Sequence, residues 1–161
     1  MTGGTRSCFL NVLKQYEGEW VTVSNFYNEI LTDHNMHPVH KHELAVCTCS
    51  REGVNPSCGD DITLNLRIED GIIADGSFTG SGCAVSQASA DIMLDLVIGK
   101  SIDEAERLHA LFMKMIRGEA DDSELEELDE AAALADISHM PARVKCAVLG
   151  WRTLGESLPE R

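Results

Sequence analysis

The chain has 161 residues, 43% hydrophobic and 25% charged, a balance that fits one soluble domain able to bury a core without disulfide staples. Its formal net charge of −14 at pH 7 opposes nucleic acid and anionic membrane surfaces, whose phosphates repel it. No run approaches the roughly 18 apolar residues of a membrane span, and Met1 to Cys8 lack a signal core. The expected location is therefore the cytoplasm, where six cysteines point to metal or redox chemistry more than to disulfides.

Residues 1–22 read as an N-terminal extension with weak structure of its own. Leu10, Val12, Leu13 and Tyr16 suggest a short amphipathic turn, but Gly18 interrupts it. Residues 23–161 form the domain. Ser24 is a candidate N-cap for a helix reaching Asp33 or His34, with Phe26, Tyr27, Ile30 and Leu31 on one face and Pro38 closing the region. Leu44 to Cys49 is a short strand candidate. Ile62, Leu64, Leu66 and Ile68 alternate with Thr63, Asn65, Arg67 and Glu69, the pattern of a half-buried strand. Asp70-Gly71 signals a tight hairpin, and the return strand runs from Ile72 to Phe78.

After Cys83 the period changes. Ala84 to Ile98 reads as a helix that Gly99 ends. Ser101-Ile102-Asp103-Glu104 is a capping box, opening a helix with Ile102, Ala105, Leu108, Phe112 and Met115 on one stripe. A further helix is expected from Ser123 to Ala135. Pro141 opens the last one, which runs to Leu158 with Val144, Val148, Trp151 and Leu154 near one face. The order predicts an α+β fold, a three-stranded antiparallel sheet with helices packed on one face.

Three boxes carry the chemistry. Asn55-Pro56-Ser57-Cys58-Gly59-Asp60 places a thiol and a carboxylate two residues apart in a sharp loop. Gly80-Ser81-Gly82-Cys83 places a second thiol at a helix N-terminus, where partial positive charge favours thiolate. Lys145-Cys146 places a third in the last helix. Three thiols and one carboxylate suit a tetrahedral thiophilic metal, zinc or iron, and a thiolate is also a sulfur nucleophile.

The boxes, in this order, resemble those of the NifU-N/IscU/SufU family of iron–sulfur cluster assembly proteins, from about Phe26 to Leu158. Three departures from IscU-type members favour the SufU branch. Lys145 stands where those members carry a histidine before the cysteine, and a protonated amine is no metal ligand. Met140-Pro141-Ala142-Arg143-Val144 replaces their chaperone-read segment. The interval between Cys83 and Cys146 holds an extra helical segment.

The resemblance implies a SufE/NifU-like fold and zinc held by Cys58, Asp60, Cys83 and Cys146. It implies sulfur transfer from a SufS-type cysteine desulfurase to Cys58, with Arg143 assisting. A SufBCD-type scaffold is a further implied partner, and neither nucleic acid nor membrane is expected. Two rivals stand beside this reading: a scaffold that builds a [2Fe–2S] cluster on the same ligands, and a non-catalytic adaptor stabilised by zinc.

Two other features are notable. His34, His37, His40 and His42 cluster ahead of Cys47 and Cys49, either as an accessory metal site or as a polar loop before a strand. Glu119 to Glu130 holds eight acidic residues and no basic one, which reads as a solvated face or as a docking surface for a basic partner. Cys8, in the extension, is incidental.

Overall fold

The structure is a computed structural model and describes residues 29–159. The expected extension 1–22, with Cys8, lies outside the described residues, as do Ser24, Phe26 and Tyr27. A helical segment, residues 29–36, leads into an irregular stretch. The sheet follows as an antiparallel meander in the order β1 (Cys49–Asn55), β2 (Asp60–Glu69), β3 (Ile72–Ser81).

The alternation in β2 holds over its first part and lapses at its end, where Asn65 is buried, Ile68 is only half-buried and the pairing with β3 shifts between Arg67 and Ile68. Ile62, Leu64 and Leu66 are buried, and Phe78 on β3 lies directly opposite Leu64. Asp70 and Gly71 both take positive φ, 52° and 75°, the two-residue turn geometry whose twist matches the strands it joins. The first strand differs from expectation. Residues 44–48 are irregular, and the strand is Cys49–Asn55. This segment carries no apolar alternation, since only Gly53 and Asn55 are buried along it. Its extended form is imposed by pairing with β2, from Cys49 opposite Leu66 to Asn55 opposite Asp60.

Helix α1 (Ala84–Val97) is buried over most of its surface, between the sheet and the other helices. Helix α2 (Ile102–Ile116) is capped by Ser101 and buries Ala105, Leu108, Phe112 and Met115 of the predicted stripe, with Ile102 half-buried. Helix α4 (Pro141–Ser157) packs on both β1 and α1, and its Trp151 stacks on Phe112 with ring centroids 4.2 Å apart.

The expected helix from Ser123 to Ala135 divides in two. Helix α3 (Asp122–Glu127) stops where Asp129 adopts φ 52°, and Asp129–His139 continues as a 3₁₀ helix. The cause is visible in the spacing. Leu128, Ala131, Leu134 and Ile137 are all buried and fall every third residue. At three residues per turn they form one straight apolar stripe, which an α-helix would smear around its axis. The acidic run is partly neutralised: Lys114 pairs with Glu124 at 2.7 Å, Arg117 with Glu119 at 3.1 Å, and Arg107 with Glu127.

Candidate metal centre

The first box is the turn of the β1–β2 hairpin. Asn55 and Asp60 face each other as the last pair of the ladder, and residues 56–59 form the loop between them. The Asn55 carbonyl accepts from the Gly59 amide at 3.0 Å, and Gly59 takes φ 72°, a left-handed conformation that glycine adopts without strain. Cys58 is thereby carried at the tip and is exposed. The buried Asn55 side chain folds back under it and donates from Nδ2 to Cys58 Sγ at 2.9 Å. Asn55, expected from the sequence only as part of the turn, thus touches the Cys58 sulfur. Its one signal was its place at the head of the Asn-Pro turn.

Asp60 opens β2 and is only 1% exposed. Its Oδ2 accepts from Cys58 Sγ at 2.9 Å and lies 3.9 Å from Cys83 Sγ, while its Oδ1 accepts from the Cys83 amide at 2.7 Å. Gly82 makes this approach possible, because a Cβ there would sit 2.4 Å from Ser86 Oγ and 3.1 Å from Asp60 Oδ1. Burial alone would raise the Asp60 carboxyl, but hydrogen bonds from Cys58, the Cys83 amide, Cys146 and Ser86 outweigh it and hold the group below its usual range. Cys83 is itself the N-cap of α1: its sulfur accepts from the Ser86 amide at 3.4 Å, aligned with the positive end of the helix.

Cys146 comes from the second turn of α4 and is 5% exposed. Its sulfur is 3.3 Å from that of Cys58. This exceeds a disulfide bond of about 2.05 Å and approaches the ~3.8 Å between two thiolates on one tetrahedral zinc. Burial first, then Cys58, Cys83 and Asp60, push the Cys146 thiol well above its ordinary range. The leading influences on Asp60 and Cys146 include no basic side chain. The donor atoms of Cys58, Asp60 and Cys146 lie within 4.8 Å of one another, with Cys83 Sγ 3.9 Å from Asp60, and such thiol and carboxylate donors are what a thiophilic divalent metal complements. The residues present therefore fit zinc. Arg143 is exposed in the first turn of α4 and is not among the groups that set the Asp60 carboxyl; Lys145 is exposed as well.

The histidine-rich segment divides. His37 and His42 are exposed, and the His42 ring bonds the Glu43 carbonyl at 2.7 Å. Cys47 is exposed, and Cys49 Sγ donates to the Ser157 carbonyl at 3.3 Å. His34 and His40 instead turn toward α1, to Asp91 and Asp95.

Comparison with known proteins decides the family. Residues 26–158 match the NifU-like N terminal domain. The chain belongs to that family. An IscU iron–sulfur cluster assembly scaffold protein of Thermotoga maritima is 42% identical to this NifU-like chain over 82% of its length and 92% of the relative's. The zinc-dependent sulfurtransferase SufU of Bacillus subtilis is 34% identical over 82% of this chain and 88% of its own. A crystal structure from Fervidobacterium islandicum, assigned as a cluster assembly scaffold for the SUF system, superposes with a TM-score of 0.77 at 33% identity, covering 81% of this NifU-like chain and 95% of that one. Among the described residues no helix is long and apolar enough to cross a membrane.

Proposed function

We propose that this protein is a zinc-dependent sulfur acceptor in iron–sulfur cluster assembly, receiving sulfur on Cys58 from the persulfide of a cysteine desulfurase. The observation that carries the reading is the convergence of Cys58, Asp60 and Cys146, with Cys83 Sγ 3.9 Å from Asp60 Oδ2 and Cys58 alone of the four fully at the surface. The SufU relative, a zinc-dependent sulfurtransferase, supports it. Cys58, Asp60, Cys83 and Cys146 would hold the zinc. When bound, the ion supplies a redox-silent positive centre that keeps the sulfurs as thiolates.

The chain's own residues do the rest. The hairpin turn presents Cys58 Sγ to a partner, and the Asn55 amide donates to that sulfur, stabilising negative charge on it. As thiolate, Cys58 attacks the outer sulfur of the partner's persulfide. A new bond forms between Cys58 Sγ and that sulfur. The partner's sulfur–sulfur bond breaks, and its cysteine leaves as thiolate with the electron pair. Cys58 then carries the persulfide for onward delivery to a scaffold such as SufBCD. Asp60, bonded to the Cys83 amide, stays fixed while Cys58 moves.

Metal analysis of anaerobically purified protein tests the reading, together with mass spectrometry after incubation with desulfurase and cysteine. The expected result is near-stoichiometric zinc, no visible absorbance, and added sulfur mapped to Cys58. A brown protein with an intact cluster and no zinc would establish the scaffold reading instead, which the IscU-named relative favours.

A further inference from the structure

A second constellation lies farther along α1. His34 is 8% exposed, and both of its ring nitrogens meet carboxylates: Nδ1 stands 2.7 Å from Asp91 Oδ2, and Nε2 stands 2.6 Å from Glu130 Oε2. Asp95, one turn beyond Asp91, meets His40 Nε2 at 2.6 Å. Donor atoms of His34, Asp95 and Glu130 all lie within 4.8 Å of one another. These groups come from four parts of the chain: the helical segment 29–36, the stretch after it, α1, and the start of the 3₁₀ helix.

We propose that His34, Asp95 and Glu130, with His40 alongside, form a second site for a divalent first-row transition cation, separate from the thiol centre. The arrangement has the parts such a site requires. Imidazole and carboxylate donors suit borderline cations, and none of the three cysteines of the first centre takes part. Asp91 acts behind the ligands. It is fully buried, its Oδ2 engages His34 Nδ1, and its Oδ1 accepts from the His40 amide at 2.8 Å. A carboxylate on the far nitrogen is the usual means of orienting a metal-binding histidine. The exposed edge gives an entry path, since the Asp95 and Glu130 side chains are 46% and 39% exposed. At about 1.5 Å per residue along α1, Asp95 lies roughly 18 Å from Cys83, so the two centres share no ligand.

The rival occupant is a proton, which would leave His34 as an imidazolium between two carboxylates. The two are distinguishable, because a cation displaces that proton and needs the ligand pairs to open by about 0.7 Å, to the ~3.3 Å spacing of donors on a tetrahedral ion. Protein whose thiol centre is saturated with zinc should be dialysed against Co²⁺ near neutral pH. The expected result is one added cobalt per chain, zinc retained, and a visible spectrum without sulfur-to-cobalt charge transfer. Asp95→Asn alters an exposed group, and His40→Gln a largely covered one outside the apolar core. Each should weaken cobalt binding by about tenfold or more, while zinc content and melting temperature stay as in the wild type. Absence of bound cobalt beyond the zinc centre, or cobalt binding unchanged in both variants, would overturn the proposal.

Discussion

The two ends of the story of α1 differ in how they are built. At its N-terminus, the Asp60 carboxylate accepts from the Cys83 amide and the Cys58 thiol, and Cys58 hangs from a tight hairpin turn whose geometry Gly59 sets. Along its flank, His34, His40, Asp95 and Glu130 are carried together by distant segments, through side-chain contacts and one bond from the His40 amide to Asp91. In the first arrangement the Cys58–Asp60 pair is preorganised by local chain geometry, while Cys83 arrives beyond β3 and Cys146 from α4. The second exists only because four segments pack together. The first is also soft and thiol-rich, the second built of imidazole and carboxylate. One helix thus presents two chemically distinct sets of donors.

Replacing Cys58 should have the largest effect. Cys58→Ala is expected to reduce stimulation of a desulfurase to background while the partner's slow basal turnover persists, read as sulfide release. Full stimulation by this variant would remove the hairpin from the mechanism. Zinc removal comes next. The proposed ligands span the first hairpin, the start of α1 and α4, so binding is coupled to folding. A tightly bound ion contributes on the order of 4 kcal/mol by linkage, and verified chelation should lower the melting temperature by about 10 °C. An unchanged melting curve would show that the fold holds these segments together unaided.

Asn55→Ala sharpens the comparison within the first region. Loss of one hydrogen bond to a developing thiolate costs about 1.5 kcal/mol, so persulfide transfer should slow by roughly tenfold with zinc still bound. Equal loss of zinc and activity would instead assign Asn55 to holding the turn. The smallest effect concerns the second region in metal-free protein. Asp91 and Glu130 overcome burial and raise the His34 imidazole to about 10 from its ordinary 6.5. A raised value means that the folded state holds this proton more tightly than the unfolded chain. The resulting stability is fully present below pH 6.5 and is lost as pH rises toward 10. Melting temperatures of chelated protein should fall by a few degrees across that window, and Glu130→Gln should flatten the fall. A wild-type profile as flat as the variant's would remove this interaction from the stability of the fold.

Much of the fold follows from local pattern. The alternation from Ile62 to Ile68, the Asp70-Gly71 turn and the stripe from Ile102 to Met115 are each found, with Ile68 and Ile102 at the ends only half-buried. The elements whose form departs from local pattern depend on partners. Cys49–Asn55 has no apolar period and becomes a strand by pairing with β2. Leu128 to Ile137 repeats every third residue, a short-period signal that resembles helix until Asp129 turns left-handed.

The same division holds for the candidate centres. The sequence by itself determined that Cys58 and Asp60 share one turn and that Cys83 caps a helix, because both facts are fixed within a few residues of backbone. Only the tertiary structure decided that Cys146 meets Cys58 at 3.3 Å, that Asn55 reaches back to the Cys58 sulfur, and that His34 finds Asp91 and Glu130 rather than Cys47 or Cys49. The physical reason is that side-chain convergence across long sequence separation is set by how helices pack on the sheet. That packing depends on the whole buried surface and leaves no mark in the spacing of the residues it brings together.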